Sequence, residues 1–257
     1  MRMPTFSAPD GTVLAYRVVG DGPPLLCVPG GPMRASDYLG DLGGLSRHRR
    51  LILLDLRGTG ESAVPADPAT YRCDRQVGDV EALREHLGLD RVDLLTHSAG
   101  GDLALLYAAA HPERVANLVL VTARARALGV DFTPDQRREG FALRAGEEWF
   151  PEANAAFERI VSGEGGDSDF DLISPFFYGR WDDAAKRHAA LDDEQSNYDA
   201  GDVYAEPEAF DPGAARAAVA TWDARVLVLA GELDGSPRPS AAAEVAGLFP
   251  VAELAVL

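Results

Sequence analysis

Residues 94–110, LLTHSAGGDLALLYAAA, constrain the fold more than any other stretch of this sequence. An apolar run ends near Thr96 and a strongly helix-forming run begins near Ala99, so a strand must turn into a helix within about two residues. Ser98 falls on that turn. A serine so placed is held above the carboxyl edge of a sheet, and the helix that follows aims its first amides and positive dipole end at whatever is bonded to it. Gly100 and Gly101 let helix and strand approach closely. The pattern is T-x-S-x-G, with Thr96 where a nucleophile elbow carries its first glycine. Ser98 is therefore a candidate nucleophile, and its alternative role is to cap the helix.

The rest of the chain repeats this alternation of short apolar runs and helical stretches, which predicts an α/β fold around a mostly parallel sheet. Strands are expected over 12–19, 25–28, 51–55, 92–96, 115–121, 226–230 and 253–257, and helices over 75–87 and 99–110. Residues 5–19 alternate around Asp10-Gly11 and predict an antiparallel hairpin at the sheet edge. From 124 to 215 no strand is expected. Short helical pieces rich in Trp, Phe and Tyr suggest an inserted helical cap, so the core is 1–123 with 216–257 and the cap is 124–215. Within the cap, 161–169 (VSGEGGDSD) is expected to be a mobile loop.

Charge narrows the function. The formal net charge is -17, which argues against nucleic-acid binding, because phosphate contacts need clustered Lys and Arg. The excess is concentrated in 124–215, with 21 acidic and 9 basic residues. Neither a membrane-spanning run nor a signal peptide is visible, and the two cysteines, Cys27 and Cys73, have no metal-ligand spacing. A cytoplasmic protein with reduced thiols, no metal and no cofactor is expected.

Three further loops follow predicted strands. Pro29-Gly30-Gly31-Pro32 offers free amides at the same edge as Ser98, and two such amides aimed at a carbonyl oxygen stabilise its developing charge. Gly31 and Ala99 are the candidate oxyanion donors. Residues 53–62, LLDLRGTGES, lack any complete phosphate-binding pattern and suggest a structural loop held by Arg57. In 227–236, LVLAGELDGS, Asp234 is the candidate for the acid that orients a histidine, with Glu232 as the fallback.

The segments VPGGP, DLRGTGES, CDRQVGDVEALREHLGLDRV, THSAGGDLALLYAAAHPERVANLVLV and VLVLAGELD, in this order, resemble α/β-hydrolases of the proline iminopeptidase-like branch, peptidase family S33. The resemblance implies the α/β-hydrolase fold with helices on both faces, Ser98 as nucleophile, Gly31 and Ala99 as oxyanion donors and Asp234 as the acid. It departs from the family at Pro29, Met33, Thr96 and Ala99, where the family commonly has histidine, glycine, glycine and tryptophan.

The resemblance also implies a histidine after Asp234, and His48, His86, His97, His111 and His188 all precede it. The expectation is that the C-terminal part of the domain, with its histidine, lies beyond residue 257. The expected function is acyl-enzyme hydrolysis of a small amide or ester, foremost by a proline iminopeptidase-like aminopeptidase acting on a small molecule or short peptide. Glu147, Glu148, Asp182 and Asp183 of the cap are candidates for holding a substrate ammonium, and the cap aromatics for an apolar ring. The alternatives are a carboxylesterase or lactonase, or a non-catalytic hydrolase-fold binding protein.

Overall fold

A computed structural model describes residues 3–257. Eight strands form one sheet: β1 (Thr5–Ser7), β2 (Val13–Val19), β3 (Pro24–Val28), β4 (Arg50–Leu54), β5 (Val92–His97), β6 (Val115–Val121), β7 (Arg225–Ala230) and β8 (Ala252–Val256), in the spatial order β1-β2-β4-β3-β5-β6-β7-β8. The pairs β1·β2 and β2·β4 are antiparallel and all others parallel. The edge hairpin turns where expected: Gly11 adopts φ +86° and Asp10 Oδ1 accepts the Thr12 amide at 3.0 Å. Crossover connections carry β3, β5, β6 and β7 in parallel, so their carboxyl ends share one edge.

Side chains alternate between the faces of the central strands. One set, including Leu26, Ile52, Leu94, Leu118, Leu120 and Val226, packs into the main core beneath α1 (Val77–His86) and α2 (Gly100–Ala110). The other set, Leu25, Cys27, Leu51, Leu53 and Leu95, meets Leu39 and Leu45, from two single-turn 3-10 helices at Ser36–Leu39 and Leu45–Arg47. Helices thus lie on both faces, unequally. Both thiols are buried and free, and burial pushes Cys27 up to about 12 and Cys73 well above its usual range. Thiolate chemistry is suppressed at both.

The 53–62 loop is structural. The Arg57 guanidinium donates to both carboxylate oxygens of buried Asp79 at 2.6 Å and also pairs with Asp10, tying the loop to α1 and to the edge hairpin. Gly60, at φ +51°, lies against Asp55, whose carboxylate accepts the Ser36 amide at 2.8 Å and the Ser36 hydroxyl at 2.7 Å.

Residues 124–215 hold α3 (Pro134–Ala142), α4 (Phe150–Ser162), α5 (Asp167–Leu172), α6 (Asp183–Ala189), α7 (Asp192–Gln195), α8 (Tyr198–Tyr204) and the start of α9 (Pro212–Val219), and α10 (Pro239–Ala246) follows β7. Thr133 and Gln136 cap α3 reciprocally, with Pro134 in its first turn. One expectation is corrected. The 161–169 stretch is not a nine-residue loop: α4 continues through Ser162, ends on Gly163 in the left-handed region, and α5 starts at Asp167, with Asp169 paired to Arg159. Of the aromatics in 124–215, Phe141, Phe157 and Phe176 pack with Ala153, Ala156 and Ile173 in a small core of their own. Arg34 fastens this region to the sheet, donating to Gln195 Oε1 at 2.8 Å and pairing with Asp192 at 2.8 Å.

Candidate active site

Ser98 occupies the turn between β5 and α2 with φ +49°, a left-handed backbone that is uncommon away from glycine and that clusters at functional sites. The turn is fixed on both sides: the Ser98 amide donates to the Val121 carbonyl at 3.1 Å, and the Ser98 carbonyl accepts the amides of Gly101 and Arg124, each at 2.9 Å. Thr96 is fully buried, and its hydroxyl points at Gly100, where any Cβ would sit 2.7 Å away. The side chain that replaces the usual glycine is therefore accommodated by the glycine four residues later.

The 29–33 loop lies directly against this turn. A Cβ on Gly30 would stand 2.8 Å from Ser98 Cβ and 3.3 Å from the Ala99 nitrogen, and one on Gly100 would overlap the Pro29 carbonyl. Glycine at both places is what lets the two backbones touch. Gly31 is at φ +122°. The Gly30 amide donates to the Tyr38 hydroxyl oxygen at 2.7 Å, and that hydroxyl stands 2.8 Å from His97 Nδ1. Burial, with His188 and Arg34 nearby, lowers His97 to about 4, so the ring that meets the Tyr38 hydroxyl is neutral at pH 7. Sequence reasoning missed this chain, because nothing in the spacing of Tyr38 and His97 marks them as partners.

Asp234 lies in the loop after β7, at the same sheet edge and two strands away from β5, roughly 10 Å by strand spacing. Its Oδ1 accepts the Ser236 amide at 2.8 Å, and α3 packs over the loop through Gly140 and Phe141. Glu232 is exposed, its amide bonded to the Leu257 carbonyl at 2.8 Å.

Residues 23–256 match the family described as the α/β-hydrolase fold. The chain belongs to that family. Among curated proteins it is 42% identical over 112 residues to the proline iminopeptidase of Lactobacillus helveticus, a match spanning 41% of this chain and only 38% of that enzyme. Among solved structures it superposes on an esterase from Exiguobacterium antarcticum with a TM-score of 0.71 at 20% identity, covering 99% of this chain and 90% of that one. It likewise superposes on the enol-lactonase of Burkholderia xenovorans with a TM-score of 0.68 at 24% identity, covering 99% and 91%. At these identities the structural likeness carries the fold alone.

In this α/β-hydrolase, no histidine among the described residues hydrogen-bonds to Ser98 or Asp234. His97 faces Tyr38, and His188 bonds to the Tyr178 hydroxyl at 2.7 Å. His86 meets Tyr16, His111 packs near Tyr107 at the end of α2, and His48 is exposed. The carboxylates of 124–215 singled out from the sequence are all exposed: Glu147 and Glu148 lie on the surface, and Asp182 and Asp183 sit at the N-terminus of α6. Among the described residues no group of three or more His, Cys, Asp or Glu is placed to hold a metal ion, and no helix is long and apolar enough to cross a membrane.

Burial pushes the Asp234 carboxyl from 3.8 up to about 6, against the opposing effects of the Ser236 amide and Arg238. The pH consequences oppose those of His97. His97, lowered from 6.5 to about 4, contributes about 3 kcal/mol that is full above pH 6.5 and lost as the pH falls towards 4. Asp234 destabilises the fold by up to about 3 kcal/mol above pH 6, relieved as the pH falls from 6 to 3.8. Asp234→Asn is expected to stabilise the protein by about 1–3 kcal/mol at pH 7.5 and to steepen the loss of stability between pH 6.5 and 4. Urea midpoints across that range check it; a variant curve parallel to the parent's would refute the assignment.

Proposed function

We propose that the protein is a serine hydrolase that cleaves a small ester or amide through an acyl-enzyme, with Ser98 as nucleophile. The observation that carries this reading is the left-handed backbone of Ser98 at a strand-to-helix turn, with the 29–33 loop packed on it. Gly31 and Ala99 supply the amides for the oxyanion, and the Tyr38–His97 chain holds their loop in position. Asp234 takes the acid position that orients a histidine base, and residues 124–215 cover the site as a cap. The substrate is a small molecule or short peptide.

The proline iminopeptidase likeness supports an aminopeptidase. An N-terminal ammonium, however, needs a carboxylate to receive it, and the exposed cap carboxylates do not serve. With Glu147, Glu148, Asp182 and Asp183 all turned to solvent, the esterase or lactonase reading is favoured. Turnover of a short acyl nitrophenyl ester is expected to exceed that of a prolyl arylamide by at least about tenfold. The reverse ratio restores the aminopeptidase. Failure on both, with no fluorophosphonate label on Ser98, leaves a binding protein and sinks the hydrolase.

A further inference from the structure

The two amides proposed for the oxyanion, those of Gly31 and Ala99, stand on different loops, and one helix, α8, is bonded to both loops. Its last residue, Tyr204, is 1% exposed and donates its hydroxyl proton to the Ala99 carbonyl at 3.1 Å. At the other end of α8 the Asn197 amide donates to the Met33 carbonyl at 2.9 Å. The Asn197 side chain donates to the Gly58 carbonyl at 3.0 Å and accepts the Ala200 amide at 3.1 Å, which caps the helix. Between these ends, a Cβ on Gly201 would meet both the ring and the carbonyl of Pro32 at 3.4 Å. Just before the helix, the Gln195 carbonyl accepts the Ala35 amide at 2.8 Å, and Ser196 bridges to Arg34. Ala200 and Tyr204, four residues apart and both buried, form the face that seats α8 on the main core.

An oxyanion donor acts only when it stands about 2.7–3.1 Å from the developing charge, so the spacing of the two amides matters as much as their presence. Ser98 holds a left-handed backbone, and such strain persists only where neighbouring groups enforce it. The bond from Tyr204 fixes the carbonyl side of Ala99 and so limits how the amide side of the same residue can pivot. Burial pushes the Tyr204 phenol well above its usual range, so it keeps the proton it donates. A core that needed only the ring would be served by phenylalanine, which brings no hydroxyl to be satisfied. We propose that Tyr204 is a positioning residue for acyl transfer: through its hydroxyl, α8 acts as a strut that sets the spacing between the Ala99 amide and the Gly31 loop. This rests on the hydrolase reading and gives residues 195–204 a part in the oxyanion site beyond covering it.

Tyr204→Phe removes one hydroxyl and keeps the ring in the core, and amide hydrogen exchange read by mass spectrometry tests it without requiring turnover. Peptides spanning 96–106 and 29–36 should exchange at least about fivefold faster in the variant, with the strands unchanged and the melting temperature within about 4 °C of the parent. Asn197→Ala, which uncaps the far end of α8, should loosen the same two peptides. In reaction with a fluorophosphonate, Tyr204→Phe should lower the maximal labelling rate at Ser98 by roughly tenfold and leave the half-saturating concentration unchanged. Parental exchange of either peptide in Tyr204→Phe, loosening by Asn197→Ala confined to 29–36, or labelling of Tyr204→Phe at the parental rate overturns the strut. So does faster exchange throughout the sheet with a larger loss of melting temperature, since Tyr204 then supports the whole core and not the site. A parent that takes no label at Ser98 removes the hydrolase reading, and the exchange comparison alone then decides whether α8 braces the two loops.

Discussion

Replacing Ser98 with alanine is expected to abolish covalent labelling by a fluorophosphonate and to lower turnover of a short acyl aryl ester by about ten-thousand-fold or more. The size follows from the role: without the hydroxyl no acyl-enzyme forms, and only binding and the oxyanion amides remain to accelerate attack by water. The fold should be unaffected, because Ser98 is held by its backbone, through Val121, Gly101 and Arg124, and not by its side chain. Alanine does retain the strained φ of +49°, so the melting temperature should change little. Mass spectrometry of the labelled protein decides the matter. A label on any residue other than Ser98, or turnover within tenfold of the parent, removes Ser98 from the chemistry.

Arg57→Ala is expected to destabilise the protein by about 3–5 kcal/mol and to lower the melting temperature by roughly 10 °C. Asp79 is buried and accepts two 2.6 Å bonds from Arg57. Removing the guanidinium leaves its carboxylate uncompensated in a site where burial already raises its pKa. The double change Arg57→Leu with Asp79→Leu should recover part of the loss, because it removes both charges. Differential scanning calorimetry checks the set. An Arg57→Ala variant that melts within about 2 °C of the parent would show that the network contributes nothing to stability.

Much of the fold is legible in the local sequence. Five of the seven expected strand runs, 25–28, 51–55, 92–96, 115–121 and 226–230, lie in the parallel or mixed interior of the sheet, and their near-continuous Val and Leu content reflects packing against both faces. The Asp10-Gly11 turn and the Ser98 elbow are legible for the same reason: each depends on a few adjacent residues whose backbone needs are visible in their side chains. The 161–169 segment misled because its glycines were read as flexibility, whereas Gly163 ends one helix and the acidic residues after it begin another. Exposed Glu147 and Glu148 misled because composition reports how many charges a segment has and not which way they point.

The sequence by itself determined the order of strands and helices, the strand-turn-helix that carries Ser98, and the glycines that permit close backbone approach. These are consequences of local sterics and of hydrophobic periodicity, which act over a few residues. Only the tertiary structure decided that Tyr38 bridges Gly30 to His97, that Phe141, Phe157 and Phe176 make a small core of their own, and that Arg34 reaches across to Gln195 and Asp192. Those depend on contacts between residues far apart in the chain, whose cost or gain exists only once folding has removed both partners from water.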